Sequence, residues 1–538
     1  MNNENPMNTI HNNSPGARFE ATGRTISASI GIIIVLTLLS RPAGFLREVL
    51  TAAYFGTRLE LDAFLLSSSI PVFLCTILGG GLAQAIVPAL SKALDEGIEQ
   101  AWSLLTCVFY RTMLVGLPLV ILNHALAPWI VRYLYPQYAP APILESGVLI
   151  YRLLSLAIAG GMISGLFIGA ANAFHLYSHT TLRAVAYNFM VMLSLILFHR
   201  TLGAYSLGIG VLMAEYVQIL VVLPPLWKRG FRFQAGTREI GAGYRLVLAA
   251  FLPAILLNGM GHVNYLIDRI LALPLGEGCV SSLEYAWKLL LIPVSLLSVA
   301  FATPLLSFLS RHEARNERDK TSALFVKSTG MLFFLGIPAT FLLLLMRREL
   351  IYLVYGWGRF DNDGVALTSW CLFFYSPGLP FQLLLPLCVA GFLAVRKSWI
   401  PVLVSLPLIP LNWYLDRLLM KTLHHAGIAL STSMIFVINV LVLYSILQSQ
   451  FSGKERLKLT IRHVIFLLCS VLFFISIWWA YGFGYRSQIP SRLLILTEMS
   501  IVGMIILGGY FLLSHAFKIQ SMDRIWIFID SVLKKNKE

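Results

Sequence analysis

The sequence predicts an all-α polytopic membrane protein with about 14 transmembrane helices, arranged as two six-helix lobes followed by two C-terminal helices. Composition is the first observation behind this fold class. Of 538 residues, 57% are hydrophobic and only 12% are charged, whereas a soluble chain carries about 25% charged residues. The second observation is a series of apolar runs long enough to cross a bilayer, which takes about 20 residues in a helix. The third is that these runs repeat in order along the chain.

The first lobe is predicted at residues 25–230, after a polar tail at 1–24 whose composition is typical of a disordered cytoplasmic segment. Its six spans are expected near residues 27–54, 61–90, 101–123, 147–174, 180–200 and 203–227. A basic linker from Lys228 to Arg238 follows the sixth span.

The second lobe is predicted at residues 244–450 and contains six further spans. These are expected near residues 244–273, 281–310, 322–345, 364–393, 398–419 and 426–449. Two additional spans lie within 459–516, near 459–483 and 489–516, and a basic cytoplasmic tail occupies 517–538.

The two sets of six spans resemble copies of one unit. Residues at an offset of 222 positions correspond in type: Arg47 and Arg269, Asp62 and Glu284, and the I-P-V at 70–72 and at 292–294. A unit with an even number of spans enters the membrane from the same side each time. The copies should therefore be related by an axis along the membrane normal, with a ligand site at their interface.

Charge outside the spans predicts the orientation of the chain. The net charge is +15, and most loop Lys and Arg residues fall on the side of the N-terminus, which predicts that both termini are cytoplasmic. Anionic membrane lipids are the expected partners of these loops. No nucleic-acid partner is expected, because the basic clusters lie between spans and not on a folded domain. The six cysteines are scattered without the spacing of a zinc or redox site.

Charge inside the first two spans identifies the candidate site. Arg41, Arg47, Glu48 and Asp62 lie within or at the edge of membrane-length segments. Charged groups at membrane depth are costly and mark transport paths. Proline and glycine near these charges, such as Pro71, are expected to interrupt the helices, which is tolerated only where protein or a wet cavity satisfies the backbone. The sequence therefore predicts a polar, basic cavity between helices.

The second copy supplies a matching polar stripe. Spacings of four, three and four residues place four polar side chains on one face of a helix, namely Asn258, His262, Tyr265 and Arg269. Glu284 and Lys288 are spaced i, i+4, so they can pair on their own helix. Two readings of such charges remain open: structural ion pairs that lock helices together, or a site for an anionic ligand.

The planar fork of arginine suits phosphate oxygens, so a diphosphate or another anionic headgroup is the expected ligand. The predicted substrate-binding residues are Arg41, Arg47, Asp62, Arg269 and Lys288. The predicted supporting residues of the cavity are Glu48, His262, Asn258 and Glu284. No catalytic residue, metal site or cofactor is predicted, and coupling to an ion or to the membrane potential is left open.

Several motifs resemble the MurJ/MviN family of lipid II flippases, within the multidrug/oligosaccharidyl-lipid/polysaccharide exporter superfamily. They are S-R-P-A-G-F-L-R-E, F-G-T-R-L-E-L-D-A-F, Q-A-I-V-P-A-L-S, Y-A-W-K-L-L-L-I-P, Y-G-W-G-R-F and H-A-G-I-A-L-S. The likeness covers about the first 450 residues in order.

The resemblance implies two six-helix lobes around a central cationic cavity, with the last two helices forming a groove for a polyprenyl tail. It implies a transporter, not an enzyme, in the bacterial inner membrane. The implied activity moves the undecaprenyl-diphosphate-linked peptidoglycan precursor, lipid II, from the cytoplasmic to the outer leaflet by alternating access. The implied partners are lipid II or a similar polyprenyl-diphosphate glycolipid, and cell-wall synthesis proteins.

Position by position, Arg41, Arg47 and Asp62 match residues that the family uses in its cavity. Lys288 stands where the family usually has arginine. The chain departs from the family at Cys75 and Thr76, where the family typically carries two adjacent arginines. Arg269 is our hypothesis for the compensating cation.

Competing interpretations stay open at this point. The closest is a flippase for another polyprenyl-linked saccharide or a related exporter; a drug exporter would need an acid-dominated site for cations, and this one is rich in cations. A membrane enzyme acting on polyprenyl diphosphates would need paired carboxylates for magnesium, and Asp361 and Asp363 are better explained by a turn. A non-transporting scaffold is the third alternative.

Overall fold

A computed structural model describes residues 40–135, 141–234, 241–315, 317–397, 399–450, 461–483 and 491–517. The predicted N-terminal tail, the start of the first span and nearly all of the C-terminal tail lie outside these ranges. Within them every regular element is a helix. The all-α membrane fold class is therefore confirmed.

The α-helices of the described residues follow one another in chain order, with α1 at 40–55. The others are α2 (Leu59–Glu96), α3 (Ile98–Leu134), α4 (Ala141–Ser155), α5 (Ala157–Ala173), α6 (Tyr177–Leu202), α7 (Tyr205–Lys228), α8 (Gly241–Ala272), α9 (Cys279–Ala314), α10 (Arg318–Leu345), α11 (Arg347–Tyr355), α12 (Asn362–Tyr375), α13 (Leu379–Ala394), α14 (Trp399–Ser405), α15 (Leu408–Leu423), α16 (His425–Gln450), α17 (Ile461–Phe483) and α18 (Arg492–Ala516). Short 3-10 turns at Leu273–Leu275 and Ser376–Gly378 precede α9 and α13.

Eleven segments in the described residues are long and apolar enough to cross a membrane. Each of them overlaps a span expected from the sequence. Three of these segments each combine two consecutive helices: Pro142–Ala173, Asn362–Ala394 and Trp399–Leu423. The chain is thus a multi-pass membrane protein, and the total of about 14 spans stays a prediction.

One local expectation is wrong. The sequence predicts helix breaks at the proline and glycine residues of the first two spans, but α2 is continuous from Leu59 to Glu96, through Pro71 and the glycines at 79–81, and α1 continues through Pro42 and Gly44. Close helix packing, and not a helix break, explains the glycines of α2. A Cβ on Gly79 would lie 2.4 Å from the carbonyl oxygen of Gly161, and one on Gly165 would lie 2.1 Å from that of Gly79. The glycines therefore allow the backbones of α2 and α5 to touch, as small residues do in membrane helix pairs.

The chain divides into two compact units. The first contains the described residues of Met1–Leu50, Ile70–Trp129 and Val148–Asn258. Its core is aromatic at one end, where Trp102 stacks on Phe174 with ring centroids 4.3 Å apart and Phe231 is fully buried. Because Phe231 belongs to the segment after α7, the start of the basic linker is packed into this unit.

The second unit contains the described residues of Thr51–Ser69, Ile130–Gly147 and Gly259–Glu538. Its main core joins α9, α10, α13 and α16 through residues such as Leu309, Phe325 and Leu387. A smaller core packs α17 and α18 onto α10, where Phe341 stacks on Phe474 at 3.7 Å. The predicted lobe boundaries stay predictions.

Candidate functional site

In the second unit, Arg269 is the centre of a buried polar cluster. Its Nη1 donates to the carbonyl oxygen of Leu65 at 2.8 Å and to Ser69 Oγ at 2.9 Å. Its Nη2 donates to Tyr265 Oη and to Glu284 Oε2, each at 2.7 Å. The side chain is 9% exposed. Arg269, the last member of the predicted polar stripe, therefore joins α8 to α2 and α9.

Lys288 completes this cluster. Its Nζ lies 3.4 Å from Glu284 Oε1, so the i, i+4 pair expected from the sequence is present. Glu284 is nearly buried, whereas about a third of the lysine side chain, 31%, is exposed. In the described part of the chain, Arg269 and Lys288 share the carboxylate of Glu284. Lys288 is the accessible member of the cluster and can reach an anionic ligand.

Asp62 has a different position from the one expected for a cavity residue. It is fully buried, and its carboxylate accepts the backbone N–H groups of Gly278 and Ser281, each at 2.7 Å. These are donors at the start of α9 that have no partner within the helix. Glu277 in turn accepts the backbone N–H of Leu59 at the start of α2, at 3.1 Å. The starts of α2 and α9 therefore cap each other.

The Y-G-W-G-R-F segment, residues 355–360, lies against the end of α1 in the second unit. The Arg359 N–H donates to the carbonyl oxygen of Ala53, and a Cβ on Gly358 would lie 2.2 Å from that oxygen. Gly358 has φ of +60°, which favours glycine. Arg58 and Asp361 form an exposed ion pair across this contact at 3.0 Å. The carboxylate of Asp361 also caps α12 by accepting the backbone N–H of Gly364, and Asp363 lies in the first turn of that helix.

In the first unit, Arg41 lies exposed near the described start of α1, and Arg47 lies one and a half turns further on. Arg47 pairs with the adjacent Glu48, and its guanidinium lies 5.9 Å from the ring centroid of Tyr187 on α6. Gly44 faces Asn188 on the same helix. One face of α1 therefore presents Arg47 to α6.

The remaining predicted residues are less defined. His262 is half-buried on α8, one turn before Tyr265. The side chain of Asn258 lies outside the described residues. For all nine predicted site residues, a role in substrate binding stays a prediction, although Arg269, Glu284 and Lys288 are brought together.

Cys75 and Thr76, the two positions at which the chain departs from the family pattern, make packing and backbone contacts. Cys75 is buried, and a Cβ on Gly161 of α5 would lie 3.0 Å from its Cβ. Thr76 Oγ1 donates to the carbonyl oxygen of Val72 at 2.9 Å within α2. Neither position supplies a cation.

Sequence reasoning missed a second buried polar cluster in the second unit. Asn412 on α15 donates to Asp268 at 3.0 Å and to Asp416 at 2.9 Å. Thr432 on α16 donates to the other oxygen of Asp268 at 3.2 Å. Asp416 Oδ1 is buried and has no hydrogen-bond partner in the described part of the chain. The sequence signal that could have revealed this cluster is Asp416, an acid within a predicted span, four residues after Asn412.

Two buried carboxyl groups lie together in this cluster, and the donors that Asn412 and Thr432 offer them are neutral. Uncompensated charges of one sign are very costly in a buried site. Carboxylate, amide and hydroxyl oxygens can bind a hard monovalent cation, and the carboxylates can alternatively share a proton. No group of three or more His, Cys, Asp or Glu residues in the described ranges is arranged as a metal centre.

Comparisons with known proteins identify the family of this chain. A family model described as "Lipid II flippase MurJ" matches residues 51–495. The probable lipid II flippase MurJ of Rhizobium meliloti (strain 1021) is 26% identical, over 87% of this chain and 90% of the relative. The lipid II flippase MurJ of Burkholderia cenocepacia is 27% identical, over 76% of this chain and 81% of the relative.

Two solved structures show the same fold. The lipid II flippase MurJ in an inward closed conformation aligns with a TM-score of 0.72 and 21% identity, covering 90% of this chain and 98% of that one. An inward-facing multidrug resistance MATE family transporter of the MOP superfamily aligns with a TM-score of 0.66 and 12% identity, covering 77% and 98%. Since the family model spans most of the sequence, this chain belongs to the MurJ family of lipid II flippases.

Proposed function

We propose that this protein moves lipid II, the undecaprenyl-diphosphate-linked peptidoglycan precursor, from the cytoplasmic to the outer leaflet of the bacterial inner membrane. The observation that carries the proposal is the match of the MurJ family model over residues 51–495. Alternating access is the proposed mechanism, and both termini are proposed to be cytoplasmic. The protein acts as a transporter, not an enzyme.

The chemistry of the second unit supports an anionic substrate. Lys288 is partly exposed and shares Glu284 with Arg269. A phosphate oxygen that approaches Lys288 can replace the carboxylate as its partner, while Arg269 continues to neutralise Glu284. This exchange keeps every buried charge compensated, so binding and release avoid the cost of an isolated charge. Arg269 acts in this scheme as a positioning residue, and Lys288 contacts the diphosphate.

The first unit offers the same type of exchange. Arg47 is paired with Glu48 and rests against Tyr187. A guanidinium binds phosphate through two parallel hydrogen bonds, which are stronger than those between neutral groups. Arg47 is therefore proposed to exchange its carboxylate partner for a phosphate oxygen. Arg41 lies exposed near the described start of the same helix and adds positive charge there.

Energy coupling is proposed at the Asp268–Asn412–Asp416 cluster. Its two carboxylates lie on α8 and α15, and a bound cation or proton would hold these helices together. Loss of the cation would leave two like charges in contact with one amide, which favours separation of the helices. The cluster thus provides a physical link between ion binding and helix position.

A reconstituted transport assay tests the proposal. Proteoliposomes containing the full chain and lipid II labelled on its headgroup are treated with a membrane-impermeant reagent that reacts only with the exposed label. We expect protein-dependent movement of lipid II between leaflets. Movement of a different polyprenyl-linked saccharide, but not lipid II, would support the sibling transporter. Chemical conversion of the lipid would support an enzyme.

In cells, depletion separates the same alternatives. Accumulation of lipid II in the inner leaflet supports the flippase, and accumulation of another glycolipid supports the alternative transporter. Normal lipid II movement after depletion supports a scaffold that binds cell-wall synthesis proteins, which are a proposed partner class.

A further inference from the structure

A partly buried polar network in the first unit lies outside the residues considered so far. Arg183 on α6 donates from Nη1 to Gln218 Oε1 on α7 at 2.5 Å. Gln218 in turn donates from Nε2 to Glu215 Oε2 at 3.0 Å. The amide therefore stands between the cation and the carboxylate, and within the described residues no hydrogen bond joins Arg183 to Glu215 directly.

Some hydrogen-bond donors of the Arg183 guanidinium have no partner in the described part of the chain. Its Nε is buried and has no hydrogen-bond partner, and no hydrogen bond from Nη2 is present in the described part of the chain. Nε and Nη2 form the edge of the guanidinium that binds two oxygens of one phosphate or carboxylate. A buried N–H group without a partner is costly, so this edge is available to an acceptor that approaches it.

Position connects this edge with the candidate site. Arg183 and Tyr187 are four residues apart on α6, so they lie on the same face one turn apart, about 5.4 Å along the axis. Arg47 of α1 covers the ring of Tyr187. Arg183 and the tyrosine that Arg47 contacts therefore lie on the same face of α6.

We propose that Arg183 is a second anion-binding residue of this unit, which binds one phosphate of the lipid-borne diphosphate through its Nε and Nη2. Gln218 orients the guanidinium, and Glu215 supplies the compensating charge while the substrate is absent. Arg183 then provides the cation that Cys75 and Thr76 do not. This inference rests on the proposed function, because it assigns a residue to the diphosphate of the same substrate.

A variant that removes both charges of the pair distinguishes a loss of ligand binding from a loss of stability. Arg183→Gln alone leaves Glu215 buried without its cation, so it can lower stability for that reason only. The double variant Arg183→Gln/Glu215→Gln removes both charges and keeps the amide between them. Arg200→Gln, an exposed arginine near the end of the same helix, is the matched control.

The measurement is the affinity of the purified full-length chain for undecaprenyl diphosphate, together with the unfolding temperature of each variant. We expect the double variant to unfold close to the wild type and to bind the diphosphate about 10- to 100-fold more weakly, the range for a lost charge-assisted pair of hydrogen bonds. Glu215→Gln should bind as tightly as the wild type or more tightly, because the competing carboxylate is gone. Arg200→Gln should bind like the wild type.

Unchanged affinity in the double variant would overturn the inference and leave Arg183 as a link between α6 and α7. Lipid II transport by the wild type is measured in parallel to distinguish the two levels of proposal. If the wild type binds undecaprenyl diphosphate but does not move lipid II, the proposed function fails and the Arg183 comparison still stands. If the wild type moves lipid II and the double variant binds normally, only the role of Arg183 fails.

Discussion

At the scale of single residues, Arg269 and Lys288 share Glu284 but differ in how firmly they are held. Arg269 is buried and hydrogen-bonds to Leu65, Ser69, Tyr265 and Glu284, whereas Lys288 is partly exposed and forms an ion pair with the same carboxylate. The difference predicts separate consequences for stability and for transport.

Replacing Arg269 with Met should destabilise the protein by about 3–5 kcal/mol, because Glu284 is left buried with a single, partly exposed cation. Thermal unfolding in detergent measures this effect. The double variant Arg269→Met/Glu284→Leu should recover much of the loss, since it removes the uncompensated charge. A single variant as stable as the wild type would contradict the interpretation of Arg269 as a positioning residue.

Replacing Lys288 with Gln should reduce lipid II transport about tenfold or more while lowering stability by less than about 1 kcal/mol, because Lys288 is partly exposed and Arg269 still pairs with Glu284. Lys288→Arg should retain transport, since it keeps the charge and adds a second donor. The assay is the proteoliposome measurement at equal protein density. Full transport by Lys288→Gln would exclude the lysine from substrate contact.

At the scale of elements, the reciprocal caps join the starts of α2 and α9. The two backbone N–H groups that Asp62 accepts are buried with it. The Asp62→Asn variant should lower the free energy of unfolding by about 2 kcal/mol or more. The NH₂ group of the asparagine would face one of the two backbone N–H groups, and two donors cannot form a hydrogen bond. Glu60→Ala, an exposed acid in the same first turn, is the control and should change stability by less than about 0.5 kcal/mol. Thermal unfolding of both variants checks this, and equal stabilities would refute the capping role.

The contact between α2 and α5 makes a second prediction at this scale. A methyl group on Gly165 would meet backbone atoms of Gly79 at 2.1 Å and 2.5 Å, so Gly165→Ala must separate the helices. We expect a loss of stability of about 1–3 kcal/mol. Gly80→Ala, where a Cβ meets nothing within 4 Å, should be neutral or stabilising by up to about 1 kcal/mol. Thermal unfolding would refute the tight packing if both variants behaved alike.

At the scale of the whole molecule, the proposed coupling ion makes transport depend on a gradient. The wild-type rate in proteoliposomes should fall when Na⁺ is replaced by a large organic cation, or when a pH gradient is collapsed, depending on which ion the cluster takes. Asp416→Asn should remove that dependence, because one of the two charges that require compensation is gone.

Asp363→Asn, an exposed acid in the first turn of α12, is the control and should keep the wild-type dependence. A wild-type rate that ignores both ions would exclude coupling at this cluster.

Much of this organisation follows from the sequence. Hydropathy identified the class and the positions of the apolar spans, because a chain in lipid must keep its backbone hydrogen bonds within helices. Periodicity placed Tyr265 and Arg269 on one face, and the i, i+4 rule paired Glu284 with Lys288. The continuity of α2 through Pro71 was missed, since proline and glycine mark both helix breaks and close helix contacts.

By itself the sequence determined that the protein lies in a membrane, where its charges interrupt the apolar runs, and which family it resembles. Only the tertiary structure decided which partner each buried charge has: Asp62 caps α9, Asn412 links Asp268 to Asp416, and Gln218 stands between Arg183 and Glu215. The physical reason is that the cost of burying a charge is a local property that the sequence reveals. The group that compensates the charge lies on another helix, and the packing of helices decides which one it is.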